Sequence, residues 1–197
     1  MKEYHFKSEL LEKSDIKKLN VGDVVYITGK IFTARDKAHV KIINTENKKL
    51  DFTLDNAIIY HCGPIMEKID DKWGVIAAGP TTSNRMSKLT PELLKKYDIR
   101  IIIGKGGMQD MAEHFKDRCV YLTYTGGCAA LASESIKKVS SVHLEELGMA
   151  ESVWEFECNE FGPLIVGIDS KGNDLFLNIN KSARKRYEMM ENKNILY

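Results

Sequence analysis

IRIIIGKGGMQDMAEHFKDRCVYLTYTG, residues 99–126, reads as a strand, a helix and a second strand, and its reading decides the architecture. The runs at 99–104 and 120–126 are short, apolar and rich in β-branched or aromatic residues, whereas 108–117 carries spaced apolar positions among charges. The same alternation extends outward: 90–97 and 128–138 read as helices, and Val139–Leu144 as a further strand. Apolar strands separated by amphipathic helices indicate a largely parallel sheet covered on both faces, so the chain reads as an α/β domain with a mixed sheet.

Upstream, Tyr4–Lys7 reads as a strand, and Ser14 and Asp15 are placed to cap a short turn of helix in LLEKSDIKKL before a turn at Gly22. An extended run Val24–Gly29 follows. Thr33–Asp36 reads as a loop, with Asp36 or a neighbour capping a helix through Ala38, Val40, Ile42 and Ile43, so that Arg35 lies at a strand-to-helix junction. AIIYHCG (57–63) and WGVIAAG (73–79) are strand-like and separated by a charged MEKIDDK turn suited to a hairpin. After residue 151 the pattern returns to β-like, with turns at Gly162-Pro163 and Lys171–Asn173, and the chain closes in a charged segment, 181–197.

With 197 residues there is enough chain for one sizeable domain. A formal net charge of +1, with both signs interspersed, provides no field that would gather nucleic acid or an anionic membrane. The basic cluster Lys181, Arg184, Lys185 and Arg186 reads as a solvated helix face or a subunit contact. No apolar run approaches the ~18 residues that span a bilayer, and MKEYHFKSELLEK lacks the apolar core of a signal peptide, so the expected location is cytoplasmic. Cys62, Cys119, Cys128 and Cys158 have neither CxxC spacing nor a histidine at ligand spacing, and they read as reduced, mostly buried thiols rather than as metal ligands of this chain.

Chemistry concentrates in three loops at the ends of apparent strands. GPTTSNRM (79–86), IGKGG (103–107) and TARDKAH (33–39) bring hydroxyls and three cations, Arg35, Arg85 and Lys105, to positions where open α/β sheets collect ligands. Arg85 lies four residues after Thr81, so on a helical turn the guanidinium and the hydroxyl share a face. The bland alternatives are capping alone for Thr81, Thr82 and Ser83, and an exposed turn lysine for Lys105. Together the three cations look like a site for carboxylates.

TARDKAH, IYHCGPI, AAGPTTSNRM, IGKGG, GGCAAL and LGMAESVWEFECNEFGPLIVGIDSKGNDL, in that order, resemble the β subunit, or C-terminal domain, of class I fumarate hydratases and the related tartrate dehydratases, over roughly Gly22–Leu175. LGMAESVW departs from an LGMEA-like order, outside the cationic loops. The resemblance implies a swivelling β/β/α three-layer domain that closes over a [4Fe–4S] cluster held by a separate α subunit. It implies that Arg35, Arg85 and Lys105 bind the carboxylates of a dicarboxylate substrate, that Thr81 is the catalytic base and that Thr82 is an adjacent substrate contact. The implied reaction interconverts fumarate and (S)-malate, a Lewis-acidic iron taking the hydroxyl, with L(+)-tartrate dehydration as the alternative and a noncatalytic anion-binding scaffold as a third reading. A homodimer, or an assembly of two α and two β subunits, is the expected oligomer. A redox role for Cys128 is less favoured than close packing at a helix start.

Overall fold

A computed structural model describes residues 1–46 and 49–191. Its strands are β1 (Glu3–Lys7), β2 (Val24–Thr33), β3 (Ile58–Tyr60), β4 (Ile65–Ile69), β5 (Lys72–Ala77), β6 (Ile101–Gly104), β7 (Val120–Thr123), β8 (Ile136–His143) and β9 (Val153–Ile168). The helices are α1 (Lys13–Ile16), α2 (Asp36–Asn44), α3 (Thr90–Lys96), α4 (Ala112–Phe115), α5 (Ala129–Glu134) and α6 (Leu175–Glu191). Seven strands form one mixed sheet in the order β1-β2-β3-β6-β7-β9-β8, and β4 and β5 form a separate hairpin. The first five are mutually parallel, and β9 runs antiparallel to its neighbours. The α/β class with a mixed sheet is as the alternation in 99–126 predicts.

Why the central strands are apolar throughout is visible in their registers. Ile101, Ile103, Val120 and Leu122 face one cluster, with Tyr60, Trp154, Phe156 and Phe161. Ile102 and Tyr121, one residue out of phase, face a second cluster with Ala38 and Ile42 of α2 and Leu93 and Leu94 of α3. A strand with both faces buried has no solvent side on which to place polar residues. Each fully buried isoleucine contributes about 1.5–3 kcal/mol relative to exposure. β9 closes the sheet on itself: Ile165 pairs with both Thr123 of β7 and Val24 of β2.

Several local readings are corrected. Glu12, rather than Ser14, caps α1, in a reciprocal capping box with Asp15. The segment MEKIDDK is not a plain connector between two paired strands. Its first residues are β4, which pairs with β5, and the reversal falls at Asp70 and Asp71, both at positive φ. β3 instead enters the main sheet between β2 and β6. Gly162-Pro163 does not turn the chain, because β9 runs through it. FLNI, 176–179, is helical, within α6. The charged segment 181–197 continues α6 as far as Glu191, and residues 192–197 lie outside the described residues. Among the described residues no helix is long and apolar enough to cross a membrane.

The parallel order has one functional consequence. β2, β3, β6 and β7 all finish at the same edge of the sheet, so the loops beginning at Ala34, His61, Lys105 and Tyr124 lie side by side. Four backbone bonds continue the ladder past the strand ends: Ala34 N–H to the Tyr60 carbonyl (3.0 Å), His61 N–H to Ile103 (2.8 Å), Tyr124 N–H to Gly104 (2.7 Å) and Thr81 N–H to His61 (2.7 Å).

Candidate active site

The segment after β5 returns over this edge and is built into it. Cys62 bridges Pro80 and Thr82 bridges Lys105, with Lys105 N–H donating to the Thr81 carbonyl (3.1 Å) and Ser83 N–H to the Lys105 carbonyl (3.1 Å). Tyr60 fixes the entry to the segment, its hydroxyl donating to the Ala78 carbonyl at 2.6 Å. Residues 83–86 then form a turn of 3-10 helix in which the Thr82 side chain makes no capping bond. The capping account of the hydroxyls therefore fails at Thr82, and the Thr81 hydroxyl has a different partner.

Arg85 Nη2 donates to Thr81 Oγ1 at 3.0 Å, and the same guanidinium forks onto Asp36, Nε to Oδ1 at 3.2 Å and Nη2 to Oδ2 at 2.9 Å. The guanidinium is thus held by a carboxylate from another loop and aimed at a hydroxyl. Burial pushes the Asp36 carboxyl up, but the hydrogen bond from Arg85 and the charges of Arg85 and Arg35 outweigh it and hold the group below its ordinary value. With Nε and Nη2 engaged, Nη1 is the part of Arg85 left to face a ligand.

Arg35 occupies the N-cap position of α2, although its side chain does not cap the helix. Its Nε lies 3.5 Å from Glu151 Oε1 and 3.8 Å from Asp36 Oδ2, and the rest of the side chain crosses Gly63, where an added Cβ would approach Arg35 Cδ to 2.6 Å. Glu151 also supplies the missing cap, its Oε2 accepting the Lys37 N–H at 2.9 Å. The AE order of LGMAESVW therefore touches the cationic loops after all: Glu151 lies against Arg35, brought there by β9 pairing with β2. The Lys105 side chain lies across Gly126, where a Cβ would meet its Cδ at 2.9 Å. Among the described residues its ammonium has no ion pair or hydrogen bond, which leaves that charge available to an anion.

The structure thus brings Arg35, Thr81, Thr82, Arg85 and Lys105 to one edge of one sheet. Thr82 is exposed and lines a neighbouring cleft of about 810 Å³ between the loop after Lys105 and the first turns of α6, with Asn84, Gln109, Asp174 and Phe176. The four other candidates do not line that cleft; they lie on an open face beside it.

Beneath them are two histidines that spacing alone did not single out. His39 and His61 are both fully buried, with ring centroids 5.1 Å apart in an edge-on contact. His39 Nδ1 donates to the Arg35 carbonyl (2.8 Å) and His61 Nδ1 is 2.8 Å from Ser83 Oγ. Burial drives the His39 pKa down against the opposing hydrogen bond to Arg35, and drives His61 well below the ordinary value, helped by His39 and by the Arg85 charge. Burial thus favours the neutral form of both rings in the folded chain.

A pH dependence of stability follows. The unfolded chain takes up a proton at each ring near the ordinary value of 6.5, the folded chain only at lower pH, so stability is fully present above that value and is lost as pH falls below it. His5, raised by the hydrogen bonds it donates to Glu3 and Glu160, acts in the opposite sense but lies exposed on the surface. Thermal unfolding from pH 7.5 to 5.5 is expected to show a steadily falling Tm, and a flat profile would contradict the neutral buried pair.

The mixed α/β domain gathers three cations and a hydroxyl at one strand edge. Residues 3–179 match the family described as Fumarase C-terminus, and the chain belongs to that family. It is 51% identical over 189 residues to a chain from Methanocaldococcus jannaschii provisionally named L(+)-tartrate dehydratase subunit beta, covering 93% of this chain and 96% of the relative. It is 37% identical over 178 residues to the L(+)-tartrate dehydratase subunit beta of Escherichia coli, covering 89% and 88%. A Geobacillus stearothermophilus protein provisionally named fumarate hydratase class I is 40% identical over 182 residues, which are 89% of this chain but 34% of that longer protein.

Proposed function

We propose that the chain is the β subunit of a two-subunit hydro-lyase of the cytoplasm that interconverts fumarate and (S)-malate. The observation that carries this reading is the Asp36–Arg85–Thr81 array, a hydroxyl whose oxygen accepts from a guanidinium that is itself held in place, with Arg35 and Lys105 alongside. Dehydrating a β-hydroxy acid requires removal of a weakly acidic proton next to a carboxylate. Threonine is a feeble base, and a guanidinium on its oxygen stabilises the alkoxide that it must become. Arg35, Lys105 and the Nη1 edge of Arg85 bind the substrate carboxylates and oppose the extra negative charge that builds on one of them after proton removal, with Thr82 as an adjacent contact.

A [4Fe–4S] cluster does not fit the described residues of this chain. Among the described residues no group of three or more His, Cys, Asp or Glu side chains is arranged to hold a metal. Cys62, Cys119 and Cys158 are buried, and burial raises all three thiols, Cys158 to about 12, so none is ready to ligate as thiolate. The cluster and the proton donor are assigned to an α subunit that covers the open face. The names of the two relatives matched nearly end to end favour a second substrate, L(+)-tartrate. The test is anaerobic turnover of fumarate, malate and L(+)-tartrate by the chain alone and after mixing with a cluster-loaded α subunit from the same genome. Activity in the mixture alone supports the split site, and the larger kcat/KM identifies the substrate. A complex inactive on all three would favour a noncatalytic scaffold.

A further inference from the structure

The side chains assigned to substrate come from three separate loops, and one buried set of contacts joins those loops. His61 stands at its centre. Its backbone N–H donates to the Ile103 carbonyl and its own carbonyl accepts the Thr81 N–H, so its main chain links β6 to the Thr81 loop. Its ring Nδ1 meets Ser83 Oγ at 2.8 Å, and Ser83 in turn donates its N–H to the Lys105 carbonyl. Its ring packs on His39, whose Nδ1 donates to the Arg35 carbonyl. We propose that His61 is a positioning residue that, through Ser83 and His39, sets Thr81, Arg85 and Lys105 in register with Arg35 for the hydro-lyase reaction; this rests on the function proposed above.

Two further observations support the assignment. Space for the His61–Ser83 contact is made at Gly104, where a Cβ would overlap Ser83 Oγ and approach His61 Nδ1 to 3.2 Å. In addition, Nε2 of both histidines is buried without a hydrogen-bond partner among the described residues. Such groups cost stability in a core that an apolar side chain could fill. The polar contact at Nδ1 therefore serves something other than packing, and the loops it joins carry the candidate catalytic groups.

The test compares three substitutions in the two-subunit enzyme. His61→Asn places an amide near the position of Nδ1, His61→Gln extends its amide toward that of Nε2, and His61→Phe keeps the ring without a polar atom. Loss of the Nδ1 contact is expected to lower kcat on the order of 10²-fold in the Phe and Gln variants with KM changed less than about threefold, the signature of displaced catalytic groups. His61→Asn is expected to remain within about tenfold of wild type. A role confined to packing predicts the opposite order, since Asn leaves the largest void. That order, or a Phe variant with wild-type kcat, would overturn the proposal. Should the Phe variant fail to fold, Ser83→Ala removes the same contact, and wild-type kcat there would overturn the proposal equally. Hydrogen exchange in the full chain keeps this separate from the functional reading: faster exchange at the Thr81, Ser83 and Lys105 amides in His61→Phe but not in His61→Asn supports the strut even if no substrate is turned over, and unchanged exchange in both rejects it. An inactive wild-type complex would count against the functional reading alone.

Discussion

Arg85→Ala is expected to lower the kcat/KM of the assembled enzyme on the order of 10³-fold, in line with the loss of a preorganised donor to a developing oxyanion. The guanidinium has two tasks that no smaller residue performs together. In the proposed mechanism it stabilises charge on Thr81 Oγ1 from 3.0 Å, and its position is set by the fork onto Asp36. Folding and subunit association should be nearly unaffected, because the Arg85–Asp36 pair is partly exposed, at 45% and 39% of the side chains, and such pairs are worth about 0–1 kcal/mol. Arg85→Lys keeps the charge but cannot fork onto Asp36 and reach Thr81 at once, so it should recover only part of the activity. Steady-state kinetics with thermal unfolding on the same samples checks both halves of this expectation, and unchanged turnover in Arg85→Ala would remove the array from the mechanism.

Thr81→Val should be as severe in kcat, on the order of 10³- to 10⁴-fold, while KM stays within a few-fold. Valine reproduces the shape of threonine, so the backbone bonds from Thr81 to His61 and Lys105 persist and Arg35 and Lys105 still hold the carboxylates. What disappears is the atom proposed to take the proton. Thr81→Ser restores a hydroxyl at the same place and is expected to recover most of the rate. A valine variant with near wild-type kcat would assign the base to the partner subunit, and exchange of the substrate C3 proton with solvent deuterium, measured in the same variant, would show it directly.

The two expectations draw on features of different legibility. Arg35, Thr81, Arg85 and Lys105 are candidates from residue type and loop position alone, because cations in loops at strand ends are a local pattern and Thr81 and Arg85 are separated by one turn. In the sequence Asp36 or a neighbour reads as a helix cap, yet Asp36 is the carboxylate that holds Arg85 from 49 positions away. Glu151 reaches α2 from 114 positions away, and only the pairing of β9 with β2 brings it there. The histidines looked dispersed because His39 and His61 meet only once α2 packs beside the end of β3.

By itself, the order of residues determined the alternation of apolar strands and amphipathic helices in the second half, the strand-to-helix junction at Arg35 and the three cationic loops. These are readable because hydrophobic period, glycine and helix-turn spacing act over a few neighbouring residues. Strand pairing is a long-range choice among partners of similar pattern, and tertiary structure alone decided that β3 joins the main sheet, that β4 rather than β3 pairs with β5, and that β9 runs on through Gly162-Pro163 to close the sheet. The same packing decided what surrounds each candidate side chain. The Arg85 guanidinium meets the Thr81 hydroxyl, and the His61 ring meets Ser83, through contacts that only the folded chain brings within 3 Å.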